Sequence, residues 1–172
     1  NRATTPAPVT TQAAAGAIEG SFDVGGHKLH MRCEGTGPPG SPTVVYLHGL
    51  GGDGSDSKSI NAQLASKARV CTYDRLNAGR SDRDPGRHSG ADSVADLHAL
   101  LAAAGVPGPY LLVGFSFGGL LAIMYAGTYP DDVSGMVLVD AASEFLQDAE
   151  TPAQWRIQRL FMRVDAATIP ES

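Results

Sequence analysis

The stretch Gly114-Phe115-Ser116-Phe117-Gly118 constrains this chain more than any other, because of what stands on either side of it. The apolar run Tyr110-Leu111-Leu112-Val113 leads straight into it, and residues 117–129 leave it as a helical pattern closed by Pro130. A strand that becomes a helix within one residue must turn sharply. Its two backbones then pass so closely that the flanking positions leave no room for a β-carbon, hence the glycines. The turn lifts the Ser116 hydroxyl above the strand at a helix N-terminus, where the peptide dipoles favour negative charge. A serine held in this way is poised as a nucleophile.

The rest of the chain supplies a sheet to carry that turn. Two short runs, Ser21-Phe22-Asp23-Val24 and His27-Lys28-Leu29-His30-Met31-Arg32-Cys33, are separated by Gly25-Gly26, which predicts a hairpin. The second run alternates, with Lys28, His30 and Arg32 on a solvent face and Leu29, Met31 and Cys33 on a buried one. Thr43-Val44-Val45-Tyr46-Leu47, residues 110–113 and Met136-Val137-Leu138-Val139 are apolar on both faces, as parallel strands covered by helices should be. Arg69-Val70-Cys71-Thr72-Tyr73 is a mixed fourth strand. Between them, Ile60 and Leu64 mark a short helix. Val94, Leu97 and Leu101 mark a longer one, capped by Asp92 or Ser93 and ended by Gly105 and Pro107. The order predicts an α/β fold: three layers built on a mostly parallel sheet, with an antiparallel hairpin at the N-terminus.

An acyl-transfer serine also needs two backbone N–H groups aimed at the oxyanion of the tetrahedral intermediate. One is expected from Phe117, directly after the nucleophile. The other is expected from the loop His48-Gly49-Leu50-Gly51-Gly52 that follows the strand 43–47, with Leu50 first and Gly51 next. His48 reads as a loop-shaping residue, since a catalytic base must face the serine hydroxyl.

With these elements in order, the chain resembles the α/β-hydrolase-fold enzymes. His48-Gly49, Tyr73-Asp74-Arg75 leading to Gly79-Arg80-Ser81-Asp82, the turn at 114–119 and Val137-Leu138-Val139-Asp140 occur in that family's order across residues 20–145. Asn77 stands where such enzymes usually carry a glycine, and asparagine is the next most tolerant of left-handed backbone. Serine at the turn resembles the esterase, lipase, thioesterase and peptidase branches rather than those with aspartate there. The resemblance places the second strand beside the fourth, which implies a Cys33–Cys71 disulfide and, with it, an exported protein.

The same resemblance requires an acid and then a histidine after the serine, yet no histidine follows Ser116; the five are His27, His30, His48, His88 and His98. His88 reads as a solvated loop residue. Asp140 is an available acid, more simply read as structural. Residues 143–172 carry Ile157, Leu160, Phe161 and Val164 on one helical face, with Trp155 near it, and read as the start of a helical lid or as a plain surface helix. Residues 1–17, rich in Thr, Pro and Ala, read as a disordered tether, and 18–142 as the hydrolase core. The expected whole is one part of a longer hydrolase whose complementary C-terminal fragment holds the histidine.

The net charge of −5, with no basic run, argues against a nucleic-acid partner. Arg80, Arg83 and Arg87 interleave with Asp82 and Asp84 as a solvated loop. No apolar run reaches the roughly 20 residues of a membrane span. Neither a metal-ligand spacing nor a phosphate loop occurs, so no cofactor is expected. The expected activity is hydrolysis of a small-molecule carboxylic ester or thioester through acyl-Ser116. The alternatives are a non-catalytic binding module on the same fold, and an acyltransferase or perhydrolase using the same site.

Overall fold

A hairpin opens the sheet. In the computed structural model, which describes residues 17–142 together with Thr151 and Ala153, β1 (Ile18–Asp23) and β2 (Lys28–Glu34) pair antiparallel from Ile18 opposite Cys33 to Asp23 opposite Lys28. Gly25 and Gly26 turn the chain at φ 111° and 123°, and the Val24 N–H donates to the His27 carbonyl at 3.0 Å. The expected tether at 1–17, apart from Ala17, and the expected lid at 143–172, apart from Thr151 and Ala153, lie outside the described residues.

The chain then alternates. β3 (Thr43–Leu47), α1 (Lys58–Leu64), β4 (Val70–Tyr73), α2 (Gly90–Ala103), β5 (Tyr110–Phe115), α3 (Phe117–Thr128) and β6 (Val133–Val139) follow in turn. The strand order is β1-β2-β4-β3-β5-β6, with β2 antiparallel to β4 and β3 through β6 parallel. Parallel neighbours need a crossover, and the helices supply it. Val94, Leu97, Leu100 and Leu101 of α2 and Leu121, Ala122 and Tyr125 of α3 pack on one face of the sheet, against Met31, Val45, Tyr73 and Leu112. On the opposite face, Asn61 of α1 shares a cleft with Thr72. Cys33 and Cys71 sit opposite each other across β2 and β4 and are disulfide-bonded.

Several expectations change in detail. Helix α2 starts earlier than its apolar period: Ser89 is the cap, its hydroxyl accepting from the Asp92 N–H while the Asp92 carboxylate accepts from the Ser89 N–H. This reciprocal pair satisfies two N-terminal donors, which a cap at Asp92 or Ser93 would leave open. In α1, Ile60 is exposed while Asn61 is buried, because Asn61 lines the polar cleft beneath the helix. His30 is buried on the face of β2 expected to be solvated: its N–H donates to Ser81 Oγ at 2.8 Å, and the loop after β4 folds over it. Strand β6 departs most, for Met136, Val137, Leu138 and Val139 are each more than two-fifths exposed. It is the edge strand among the described residues, so its apolar faces lack the cover its sequence implies.

The disulfide closes a separation of 38 residues and should contribute up to about 4 kcal/mol by restricting the unfolded chain. Urea denaturation of the Cys33→Ser/Cys71→Ser double variant should show a loss of that order. Wild-type protein unfolded without reductant should resist alkylation and take up two alkyl groups after reduction; alkylation before reduction would contradict the bond.

Candidate active site

Ser116 lies at the head of the sheet, between β5 and α3, with φ 52° and ψ −120°. A non-glycine residue held at positive φ costs about 1–3 kcal/mol and persists only where its neighbours over-determine it. They do so here. The Ser116 N–H donates to the Val139 carbonyl at 3.1 Å, and the Ser116 carbonyl accepts from Gly119 and Ala142, each at 2.9 Å. The side chain is spared: Ser116 is the N-cap of α3, yet its hydroxyl caps nothing, and no described side chain bonds to it.

The flanking glycines are required by backbone contact. A β-carbon on Gly114 would lie 2.5 Å from the Gly119 Cα, and one on Gly118 would collide with the Leu47 carbonyl. One on Gly119 would strike Ala141. The loop after β3 is equally close, since a β-carbon on Gly49 would stand 3.1 Å from the Phe115 ring and 3.5 Å from the Ser116 Cβ. Strand β3 is paired with β5 up to Leu47 opposite Gly114, which brings His48, Gly49 and Leu50 beside the serine.

His48 is completely buried, and both ring nitrogens are occupied. Nδ1 bonds the Gly49 carbonyl at 2.9 Å, and Nε2 accepts from the Arg75 N–H at 3.4 Å. That pairing suits the neutral Nδ1–H tautomer. Burial, reinforced by the Arg75 charge, pushes its pKa down to about 4. The ring is therefore a brace for the loop, as its position beside Gly49 suggested.

Arg75 is the functional side chain that sequence reasoning passed over. It is buried, and its guanidinium donates to the His48 carbonyl and to the Gly49 carbonyl, each at 2.6 Å. It also lies 5.4 Å over the Phe117 ring. Asp74, next to it and also buried, accepts from the Gly54 and Arg80 N–H groups at 2.7 Å, tying the loop after β3 to the loop after β4. Asn77 adopts φ 68°, the left-handed conformation that asparagine tolerates there. Only the motif Tyr73-Asp74-Arg75 hinted at these roles; the carbonyls they hold are set by the fold.

Leu50 follows Gly49, which lies against Ser116, and Phe117 directly follows the serine; neither N–H has an acceptor among the described residues. The half-exposed side chains of Leu50 and Phe115 give the rim an apolar surface. The remaining histidines go elsewhere. His27 Nε2 bonds Asp96 Oδ2 at 2.8 Å, and His88 Nε2 lies buried 3.1 Å from the same oxygen without a hydrogen bond among the described residues, so His88 lies against α2 rather than solvated in its loop. His30 lies 3.9 Å from Asp74, and His98 stacks on Tyr129 with ring centroids 3.9 Å apart. Asp140, at φ 45°, is exposed and makes no hydrogen bond among the described residues, so neither its structural nor its catalytic reading gains a contact. Among those residues no group of three or more His, Cys, Asp or Glu is arranged to hold a metal ion. None of their helices is long and apolar enough to cross a membrane.

Residues 42–168 match the family described as alpha/beta hydrolase fold. The chain is 36% identical over 129 residues to the pimeloyl-[acyl-carrier protein] methyl ester esterase of Chromobacterium violaceum, covering 73% of this chain and 48% of that one. It is 33% identical over 114 residues to the proline iminopeptidase of Xylella fastidiosa, covering 65% and 36%. A crystal structure of an alpha/beta hydrolase from Novosphingobium aromaticivorans superimposes with a TM-score of 0.64 at 30% identity, covering 72% of this chain and 44% of that one. The chain thus spans less than half the length of each of these relatives.

The His48 brace carries a pH dependence. Folded, the ring protonates only near pH 4; unfolded, it does so near the ordinary 6.5. The stability it contributes is full above pH 6.5 and is lost as pH falls toward 4, about 3 kcal/mol in all. Urea midpoints measured across that range should fall more steeply for wild type than for His48→Asn, and parallel slopes would contradict the assignment.

Proposed function

The chain belongs to the alpha/beta hydrolase family, and from that premise we propose that it carries the nucleophile of a serine hydrolase cleaving a small-molecule carboxylic ester or thioester. The observation behind this reading is Ser116 itself, a strained residue whose hydroxyl is left unbonded at the N-terminus of α3. Ser116 Oγ attacks the carbonyl carbon while its proton passes to a general base. The oxyanion accepts hydrogen bonds from the Leu50 and Phe117 N–H groups. Collapse expels the alcohol or thiol, which takes up the proton, and water then releases the acid from acyl-Ser116.

None of the five histidines hydrogen-bonds Ser116, so we assign the base to the part of the relatives' length that this chain does not match. The exposed apolar rim at Leu50 and Phe115 suits an apolar acyl group. The Cys33–Cys71 bond supports a secreted or cell-envelope setting. A pure binding module would have no use for the strained serine. An acyltransferase or perhydrolase would use the same site and differ only in the acceptor of the acyl group.

A fluorophosphonate probe followed by intact-mass analysis tests the reading. With the base-bearing part of the hydrolase present, wild type should gain one label on Ser116, and Ser116→Ala should gain none. Equal labelling of the variant would remove Ser116 from the chemistry. A folded wild type that takes no label even with the base-bearing part present would favour the binding-module reading.

A further inference from the structure

We propose that Arg75 is the positioning residue of the oxyanion site, its guanidinium fixing the Gly49–Leu50 peptide so that the Leu50 N–H faces Ser116. This deepens the serine-hydrolase reading and rests on it.

The Gly49 carbonyl is unusually restrained. It accepts from Arg75 at 2.6 Å, bonds His48 Nδ1 at 2.9 Å, and accepts from the Gly52 N–H at 3.4 Å. A carbonyl and the N–H of the same trans peptide point in opposite directions. Three donors on one side therefore fix the Leu50 N–H on the other, and it is left without an acceptor there. The close approach of Gly49 to the Ser116 Cβ shows that this peptide lies against the serine. A loop with Gly49, Gly51 and Gly52 in a run of four residues would otherwise have many backbone conformations available.

Arg75 reaches the second donor as well. The same guanidinium that holds His48 and Gly49 packs over the ring of Phe117, the residue whose N–H is the other oxyanion donor. One side chain thus contacts the peptide that carries one donor and the ring of the residue that carries the other. The choice of arginine follows from the geometry, because a planar fork can hold two neighbouring carbonyls at once and a lysine ammonium cannot match it. None of the ion pairs among the described residues involves Arg75, although it is buried; its hydrogen bonds go to carbonyls. Asp56 acts on the positive charge only at longer range, and the guanidinium stands behind the peptide that would face a developing oxyanion.

The test uses the full-length protein, with the base-bearing part present, as wild type, Arg75→Lys and Arg75→Met, with thermal melts to confirm folding. Fluorophosphonate labelling is resolved into a maximal rate and a half-saturating concentration, and the Leu50 and Phe117 amides are followed by 15N–1H NMR. The maximal rate should fall about 100-fold in Arg75→Met, as for loss of an oxyanion donor, with half-saturation changed less than about twofold. Arg75→Lys should lie between, and millimolar methylguanidinium should restore part of the Arg75→Met rate. The Leu50 amide resonance should shift in both variants. Folded variants with unchanged rate and an unmoved Leu50 amide would overturn the proposal, as would a rise in half-saturation alone. If wild type takes no label but the Leu50 amide still moves in Arg75→Met, the serine reading falls and the positioning role of Arg75 stands. If neither occurs, both fall.

Discussion

Three stretches of backbone meet around Ser116 with almost no space between them, and the architecture at the head of the sheet depends on that contact. The end of β5, the start of α3 and the loop after β3 approach so closely that Gly114, Gly118 and Gly119 each abut backbone or a β-carbon. Close packing of this kind fixes position more firmly than side-chain packing can, since backbone atoms have no alternative rotamers. The strain at Ser116 is held by the Val139, Gly119 and Ala142 contacts, which draw β6 into the same junction. An unbonded hydroxyl in an over-determined backbone is what a nucleophile requires: a fixed position and a free lone pair.

A second layer of restraint stands behind the first. Arg75 and His48 lie on the far side of the Gly49 peptide, and Asp74 links the next two loops through the Gly54 and Arg80 amides. These are buried polar groups in a region where unsatisfied ones would be expensive, and they serve backbone atoms instead of one another. Neutral His48 and charged Arg75 coexist because burial and the Arg75 charge both hold the imidazole deprotonated. The loop beside the serine is therefore set by electrostatics and hydrogen bonding, where the serine turn itself is set by sterics.

The opposite ends of the sheet differ in how they are closed. At the hairpin end, the Cys33–Cys71 bond, the His27–Asp96 contact and the Arg80–Glu19 pair fasten β1, β2 and their turn to the rest. At the other end, β6 is apolar on both faces and exposed on both. An apolar strand at an edge has the composition of an interior strand, and here a register shift opposite Tyr110 and Leu111 interrupts the pairing of β6 with β5.

Local chemistry decided what the sequence alone could settle. The strand-turn-helix around Ser116, the Gly25-Gly26 hairpin and the left-handed Asn77 were legible because each depends on backbone preferences of adjacent residues. Leu50 and Phe117 were named from the spacing of their motifs alone, and their role as oxyanion donors belongs to the proposed function. The cap at Ser89, the burial of His30 and the position of His88 were not legible, because each depends on a partner that only folding supplies. Arg75 is the clearest case. Nothing beside it in the chain shows that its guanidinium will reach the His48 and Gly49 carbonyls, 27 and 26 residues away. Backbone propensity acts over a few residues and can be read along the chain. A buried hydrogen bond joins residues whose proximity is fixed only by the order of strands in the sheet, so the tertiary structure decided it.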